Sequence, residues 1–182
     1  LLAMVGALPP QQLGDPSFRE DYELKYAYKT GAMANGIAWE ELVISIGKAA
    51  LLGSFGAAGL VPARVLQAIE KIQGALAHQS YAFNLIHSPN EEALEAGAVK
   101  LFLEKGVHVV EASAFLALTE HIVHYRVACL HQGPDGKVEI RNKVIDKESR
   151  KEVATHFMQP APERFLKLLL EKGQITTEQA AL

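Results

Sequence analysis

The sequence predicts an α/β fold built around parallel strands, and two observations support that prediction. Short apolar runs that are typical of buried strands alternate four times with amphipathic helical stretches, at a period of about 25–30 residues. Glycine-containing turns, such as those at Gly36 and Gly56, separate these stretches. Each helix would connect two parallel strands in a βαβ unit. We therefore divide the chain into a lead-in over 1–25, four βα units over 26–130 and a different segment over 131–182.

The first unit follows a lead-in that contains several prolines and glycines and shows no periodicity. We expect this lead-in to be extended. The regular pattern then predicts a strand at 26–28, a turn at 34–36 and a helix over 40–50. That helix presents one apolar stripe, because Leu42, Val43 and Ile46 recur at helical spacing.

The next three units repeat this pattern. Strands are predicted at 51–56, 81–86 and 107–113, each of them a short apolar run. A helix follows each strand, and proline or a capping residue marks the helix starts: Pro62, Asn90 and Thr119.

The pattern changes after residue 130. The sequence GPDG at 133–136 is a strong turn signal, and 137–143 alternates as one arm of a hairpin would. Helical stretches follow over 149–158, from Pro162 to Gly173, and from 177 to the end of the sequence. We expect residues 131–182 to form an α-rich insertion with a hairpin, which does not continue the parallel strands and is truncated at its C-terminus.

The composition limits the classes of function. The chain has 182 residues, with 18 basic and 21 acidic side chains and a formal charge of −3, so it has no basic excess that would favour nucleic acid. A lone cysteine, Cys129, rules out an internal disulfide and a multi-cysteine metal site, and we expect it to be buried and structural. No apolar run is long enough to span a bilayer. We expect a cytoplasmic location.

Four polar residues stand out because they lie in or beside predicted strands. Asn84 closes the third strand, where a carboxamide could hydrogen-bond a ligand or could simply start a loop. Glu111 lies in an apolar strand, so it either faces a site at the strand end or pairs with an arginine such as Arg126. His87 is a weak candidate for a catalytic residue, and Lys29 is expected to be a solvated strand end.

Metal binding is not predicted. His121 and His124 are three residues apart in a predicted helix and could face the same way, but a zinc site needs a third ligand nearby. No pattern of a hydrolase or of a nucleotide-triphosphatase phosphate loop is found.

Several motifs resemble one branch of the flavin-dependent barrels related to nitronate monooxygenase. The barrel start is matched by GAMANGIA, LLGSFGAAGL and FNLIHSP. The branch is matched by the longer YAYKTGAMANGIA, by VVEASAFLALTEHIVHYR and by RNKVIDKESRKEVATHFMQPAPERFL. This branch comprises the enoyl reductases that serve polyunsaturated fatty acid synthases and polyketide synthases in trans. The resemblance begins near residue 22 and covers most of the chain.

The resemblance implies the N-terminal half of a (β/α)8 TIM barrel, four βα units plus the insertion, because a whole barrel needs about 250 residues. It also implies an FMN site lined by Gly31, Ala32 and Met33, with Asn84 at the flavin edge and Glu111 beside it. The family's flavin-phosphate loops belong to the second half of the barrel and are not in this sequence. Trp39 stands where a small residue is expected, so it would either pack over a neighbouring loop or narrow the flavin pocket.

The implied activity is reduction of an enoyl thioester on an acyl carrier protein, with hydride from NADH or NADPH through FMN. The segment 131–182 would cover the barrel mouth as a lid or dock the carrier protein, and a second copy of the chain could complete the half barrel as a homodimer. Two alternatives stay open. One is a flavin oxidoreductase of the nitronate monooxygenase type, and the other is a non-catalytic barrel fragment that acts as an interaction module.

Overall fold

The structure, a computed structural model, describes residues 6–182. Its centre is a parallel sheet in which the strands lie side by side in chain order. These strands are β1 (Gly53–Phe55), β2 (Tyr81–Ile86), β3 (Val109–Ser113) and β6 (Lys143–Asp146). An antiparallel hairpin of β4 (Leu130–Gln132) and β5 (Val138–Ile140) interrupts the chain between β3 and β6.

Helices precede, connect and follow the strands. In chain order they are α1 (Pro16–Tyr22), α2 (Glu40–Lys48), α3 (Pro62–Ala75), α4 (Glu92–Glu104), α5 (Glu120–Val127), α6 (Lys151–Met158), α7 (Glu163–Glu171) and α8 (Thr177–Ala181). Local sequence explains several starts: Pro62 occupies the first turn of α3, and the Thr119 hydroxyl accepts a hydrogen bond from Ile122 N–H at the start of α5. Within residues 6–182, no helix is long and apolar enough to cross a membrane.

One face of the sheet packs against α2 to α5 and forms the main core. The strands contribute Phe55, Phe83 and Val110 to it, in register across β1, β2 and β3. The helices contribute residues at helical spacing, all of them buried: Val43, Val65, Ile69, Ile72, Val99, Phe102, Ile122 and Tyr125. Because side chains alternate along a strand, the residues between these must point to the opposite face.

The opposite face changes from apolar to polar along the strands. At the amino end, Leu52, Ala82 and Val109 form a second cluster with Tyr22 of α1 and with Leu24. At the carboxyl end the same face carries Ser54, Asn84 and Glu111, all of them buried. Helix α1 therefore closes one end of this face, and polar side chains occupy the other.

We expected the lead-in to be extended because of its prolines, but part of it is helical. Residues Pro16–Tyr22 form α1, because the Asp15 carboxylate accepts a hydrogen bond from Ser17 N–H and Pro16 suits the first turn. Phe18 and Tyr22, four residues apart, pack their rings 4.7 Å apart. A helix of seven residues next to several prolines gives too short an apolar repeat to be identified from sequence.

The first strand also differs from its prediction. Its pairing is a single parallel bridge between Lys29 and Leu52, not a strand at 26–28. Tyr28 N–H donates to the carbonyl of Tyr26, so the backbone turns at the predicted position. Two hydrogen bonds form the bridge: Leu52 N–H donates to Tyr28 O at 3.2 Å, and Thr30 N–H donates to Leu52 O at 2.9 Å.

The expectation that residues 131–182 do not continue the parallel strands is wrong at one position. Strand β6 pairs in parallel with β3, matching Val110 with Val144 and Glu111 with Ile145. Its four residues lie in a charged stretch, which hid the strand from pattern analysis. The rest of this segment contains the hairpin and three helices, and Leu169 of α7 packs against Val123 and Val127 of α5.

Candidate functional site

The candidate site lies at the carboxyl end of the sheet, on the face opposite α2 to α5. Glu111 of β3 is at its centre, with Asn84 of β2 in register beside it. Lys147, directly after the neighbouring strand β6, reaches Glu111, and so does Lys29, from the bridge on the far side of β1. In parallel α/β sheets this end is where loops converge and where ligands bind.

Glu111 is a buried carboxylate held between two ammonium groups. Its side chain is 1% exposed, Lys29 Nζ bonds to Oε2, and Lys147 Nζ lies 2.6 Å from Oε1. Burial raises the pKa of Glu111, but the hydrogen bonds from Lys147 and Lys29 outweigh it, so the pKa lies below its ordinary value. Glu111 is therefore ionised near neutral pH.

The two lysines have different surroundings. The Lys29 side chain is 12% exposed, so it is not the solvated strand end that we expected. Burial lowers the pKa of Lys29, and the hydrogen bond to Glu111 only partly restores it. The Lys147 side chain is 58% exposed. Because the single carboxylate of Glu111 balances only one of the two ammonium groups, Lys29, Glu111 and Lys147 together carry a net positive charge. The exposed Lys147 places that charge at the surface.

Arg126, the partner that we considered for Glu111, lies elsewhere and donates to the carbonyl of Asn142. The contact with Lys147 was missed because β6 was not predicted. Had 143–146 been identified as a parallel strand, its position at the strand's carboxyl end would have pointed to Lys147.

Asn84 is fixed in place by its neighbours. Its Nδ2 donates to the carbonyl of Glu111 at 3.1 Å and to the hydroxyl of Ser113 at 2.8 Å. Asn84 thus locks the end of β2 to β3, as well as lying beside Glu111. Its role toward a ligand stays a prediction.

The backbone of Gly31, Ala32 and Met33 runs past Lys147 at the surface. Gly31 and Met33 are exposed, and Ala32 is half-buried. A Cβ at Gly31 would lie 4.0 Å from Lys147 Nζ, so the bare backbone is next to the ammonium group. This is the segment that the resemblance assigned to the flavin.

Gly56 holds this segment in position. A Cβ at Gly56 would lie 1.6 Å from the carbonyl oxygen of Met33, so only glycine allows the two loops to approach so closely. Gly36 N–H donates to Gly56 O, and Gly56 N–H donates to Ala38 O. The glycines of the first two turns therefore fasten one loop to the other.

His87 forms a separate cluster. Its Nδ1 lies 2.8 Å from Oε2 of Glu95, whose side chain is 1% exposed, and the Thr119 hydroxyl donates to the other oxygen of Glu95. Its ring stacks on Phe115 with centroids 5.2 Å apart. These contacts are with α4 and the loop before α5, rather than with Glu111 or the lysines. A catalytic role for His87 stays a prediction.

Three other residues were singled out in the sequence. Trp39, at the N-cap of α2, is 53% exposed, and its two expected roles stay predictions. Cys129 is half-buried rather than buried. His121 lies 3.4 Å from Glu92, and no group of three or more His, Cys, Asp or Glu residues that could hold a metal ion is found in residues 6–182.

Comparison with known proteins found no matching family model, but it found close relatives. Two components of the polyunsaturated fatty acid synthase of Thraustochytrium sp. match nearly the whole chain. One is 55% identical over 170 residues, which are 93% of this chain and 11% of that component. The other is 53% identical over 178 residues, 9% of its length. The polyketide biosynthesis protein PksE of Bacillus subtilis is 41% identical over 173 residues, 23% of its length.

A solved structure supports the same assignment. The enoyl reductase domain of MlnA, from the macrolactin biosynthesis cluster of Bacillus amyloliquefaciens, superposes with a TM-score of 0.90 at 38% identity. The match covers 95% of this chain and 40% of that one. The chain thus spans about a tenth of the synthase components and two-fifths of the solved chain. The resemblance inferred from the motifs is confirmed: this chain is homologous to a segment of the polyunsaturated fatty acid synthase and polyketide biosynthesis proteins and shares the fold of part of an enoyl reductase domain.

Proposed function

We propose that this chain is part of an FMN-dependent enoyl reductase. It would act on enoyl thioesters of an acyl carrier protein in polyunsaturated fatty acid or polyketide biosynthesis, with NADH or NADPH as the hydride donor. The observation that carries the proposal is the exposed Lys147 ammonium beside the bare backbone of Gly31, at the carboxyl end of a parallel sheet. The relatives' names support enoyl reduction over nitronate oxidation.

The residues present fit a flavin in shape and charge. A planar ring system needs backbone without side chains along one edge, which Gly31 and Ala32 offer, with Met33 next to them. An electron-rich pyrimidine edge needs a cationic donor, which Lys147 offers. Since Nδ2 of Asn84 is already bonded within the chain, we expect its amide oxygen to face the ring edge.

In this proposal bound FMN would supply the redox chemistry, the transfer of hydride between a nicotinamide and the enoyl double bond. The chain's own residues supply position and charge. Lys147 holds the ring edge, and Glu111 keeps Lys147 oriented through the ion pair at 2.6 Å. Glu111 is therefore a positioning residue. His87, held by Glu95, is the weak candidate for proton transfer.

We further propose that the sheet is half of a (β/α)8 barrel. All four connecting helices, α2 to α5, pack on one face, and the opposite face is closed at one end by α1, as a barrel interior would be. The other half would come from a longer chain or from a second copy in a homodimer. The segment 131–182 would cover the mouth or dock the acyl carrier protein domain.

The proposal is tested by titrating the chain with FMN and following the quenching of flavin fluorescence. Lys147→Gln should weaken binding by about tenfold or more, because it removes a charge-assisted hydrogen bond. Lys100→Gln is the matched control, since Lys100 lies on α4 with a side chain 77% exposed. It should leave binding unchanged.

Turnover then separates the candidate activities. The FMN-loaded protein should consume NADH or NADPH in the presence of an enoyl thioester, and should not consume a nitroalkane with oxygen. Absence of FMN binding by the chain and by any longer protein that contains it would contradict the proposal. Retained binding of a carrier protein in that case would favour an interaction module.

A further inference from the structure

The two loops beside the candidate site expose large apolar side chains. Ile37 is 66% exposed, Trp39 53% and Val61 67%; we refer to these three residues as the apolar rim. Trp39 is the N-cap of α2 and Val61 the N-cap of α3. Single exposed apolar residues are common on any protein, but a cluster beside a site is typical of a binding surface.

The rim residues lie near one another because the loops and helices that carry them are joined. A Cβ at Gly36, next to Ile37, would lie 3.5 Å from Leu60, next to Val61. The first turns of α2 and α3 are joined by Arg64, which donates to both carboxylate oxygens of Glu40 at 2.5 and 2.9 Å. The rim is therefore presented on a fixed frame.

The rim carries no charge. Residues 31–39 and 56–63 contain no acidic, basic or histidine side chain. The charges nearest to them in sequence on α2 and α3 are paired with each other, Glu40 with Arg64 and Glu41 with Lys71. Such a surface complements an uncharged apolar group rather than the charged surface of a protein or a nucleotide.

We propose that the apolar rim binds the acyl chain of the thioester substrate and so determines which chain lengths the enzyme prefers. This inference rests on the proposed enoyl reductase function. Each methylene that moves from water onto the rim should strengthen binding, by up to about fourfold when it is fully buried. Partial coverage of an open surface would give a smaller factor.

Trp39 provides the readout, because it is the only tryptophan in the chain. The 182-residue chain, with and without FMN, is titrated with saturated acyl-pantetheine thioesters of four, eight and twelve carbons, below their aggregation concentrations. Trp39 emission should shift to shorter wavelength, and affinity should rise steadily with chain length. Trp39→Phe should abolish the emission signal and so identify its source.

A matched pair of variants locates the effect. Val61→Ser should reduce the ratio of the affinities for the twelve-carbon and the four-carbon thioester several-fold. The variant should still fold, because serine is a favoured N-cap residue. Val138→Ser, on β5 and 41% exposed, should leave that dependence unchanged.

Two outcomes would overturn the inference: an affinity independent of chain length, or equal effects of the two serine variants. A shift of Trp39 emission with an acyl-free carrier protein alone would assign the rim to protein docking instead. Flavin quenching, measured in the same samples, reports separately on the proposed function. If the rim does not bind the acyl chain but FMN still binds, the proposed enoyl reductase function is unaffected.

Discussion

At the scale of single residues, the pairing of Glu111 with two lysines is the feature that most constrains function. A buried carboxylate needs one cation for neutrality, and Lys29, with its side chain 12% exposed, supplies it. Lys147 is then a surplus charge that is held in place but still exposed. The hydrogen bond from Lys147 also helps to lower the pKa of Glu111, so Lys147 both stabilises the ionised carboxylate and stays accessible from outside.

Glu111→Gln should destabilise the chain by about 3 kcal/mol, since it leaves the Lys29 ammonium buried without a counter-charge. The folded carboxyl has a lower pKa than the unfolded one, so its contribution is complete above the ordinary value of 4.5 and is lost as pH falls through the folded value. Urea unfolding of both proteins at neutral pH and at pH 3 measures this. A difference in unfolding free energy that does not shrink toward pH 3 would refute the ion-pair account.

At the scale of elements, the contact between the loops after the first bridge and after β1 shapes the site. Its closest point joins Gly56 to the carbonyl of Met33, and Asn35 N–H donates to Ala58 O nearby. These bonds place the exposed Gly31–Met33 backbone beside Lys147. Gly56 therefore allows two loops to pack closely, in addition to its place in a turn.

Gly56→Ala should destabilise the chain by about 2–3 kcal/mol or more, because its methyl group would overlap the Met33 carbonyl. It should also weaken FMN binding, by displacing the Gly31–Met33 segment. Gly97→Ala is the control: it lies within α4 with nothing within 4 Å of the added Cβ, so it should stabilise by about 0.5–1 kcal/mol. Thermal unfolding of the two variants measures both effects. Equal stability of the two would contradict the close approach.

At the scale of the whole molecule, the sheet has an edge at β6. Within residues 6–182, β6 pairs with β3 alone, so its other side offers unpaired backbone groups. Beside it lies a cavity of about 1240 Å³, lined by apolar residues such as Ile122 and Phe157 and by charged residues such as Arg126 and Asp146. In the proposed half barrel, the next strand would pair with this edge.

We expect the isolated 182-residue chain to associate through this edge. Hydrogen exchange of the β6 amides, Lys143–Asp146, should slow as protein concentration rises, and the sedimentation coefficient should increase in parallel. The β2 amides, which lie between β1 and β3 and are away from both edges, should exchange at rates independent of concentration. Fast β6 exchange at all concentrations would show that the edge stays open.

Pattern analysis predicted the strong elements well. The spans of β2, α3 and α5 agree with expectation to within a few residues, because each combines an apolar repeat with a capping or turn residue. Asn84 and Glu111 were also identified, as polar residues in apolar strands. Two elements were not predicted because they are short and lie in unfavourable sequence. Helix α1 follows several prolines, and β6 lies in a stretch of charged residues.

The alternation of strands and helices, the glycine turns and the family resemblance could all be predicted from sequence, because these are local patterns of size, polarity and backbone freedom. The pairing of charged side chains could not be predicted in this way. Lys29, Glu111 and Lys147 are separated by 82 and 36 residues, and the parallel sheet, together with the bridge at Lys29, brings them together. Their pairing depends on the register between strands, which is set by the packing of the whole sheet rather than by any single stretch of chain.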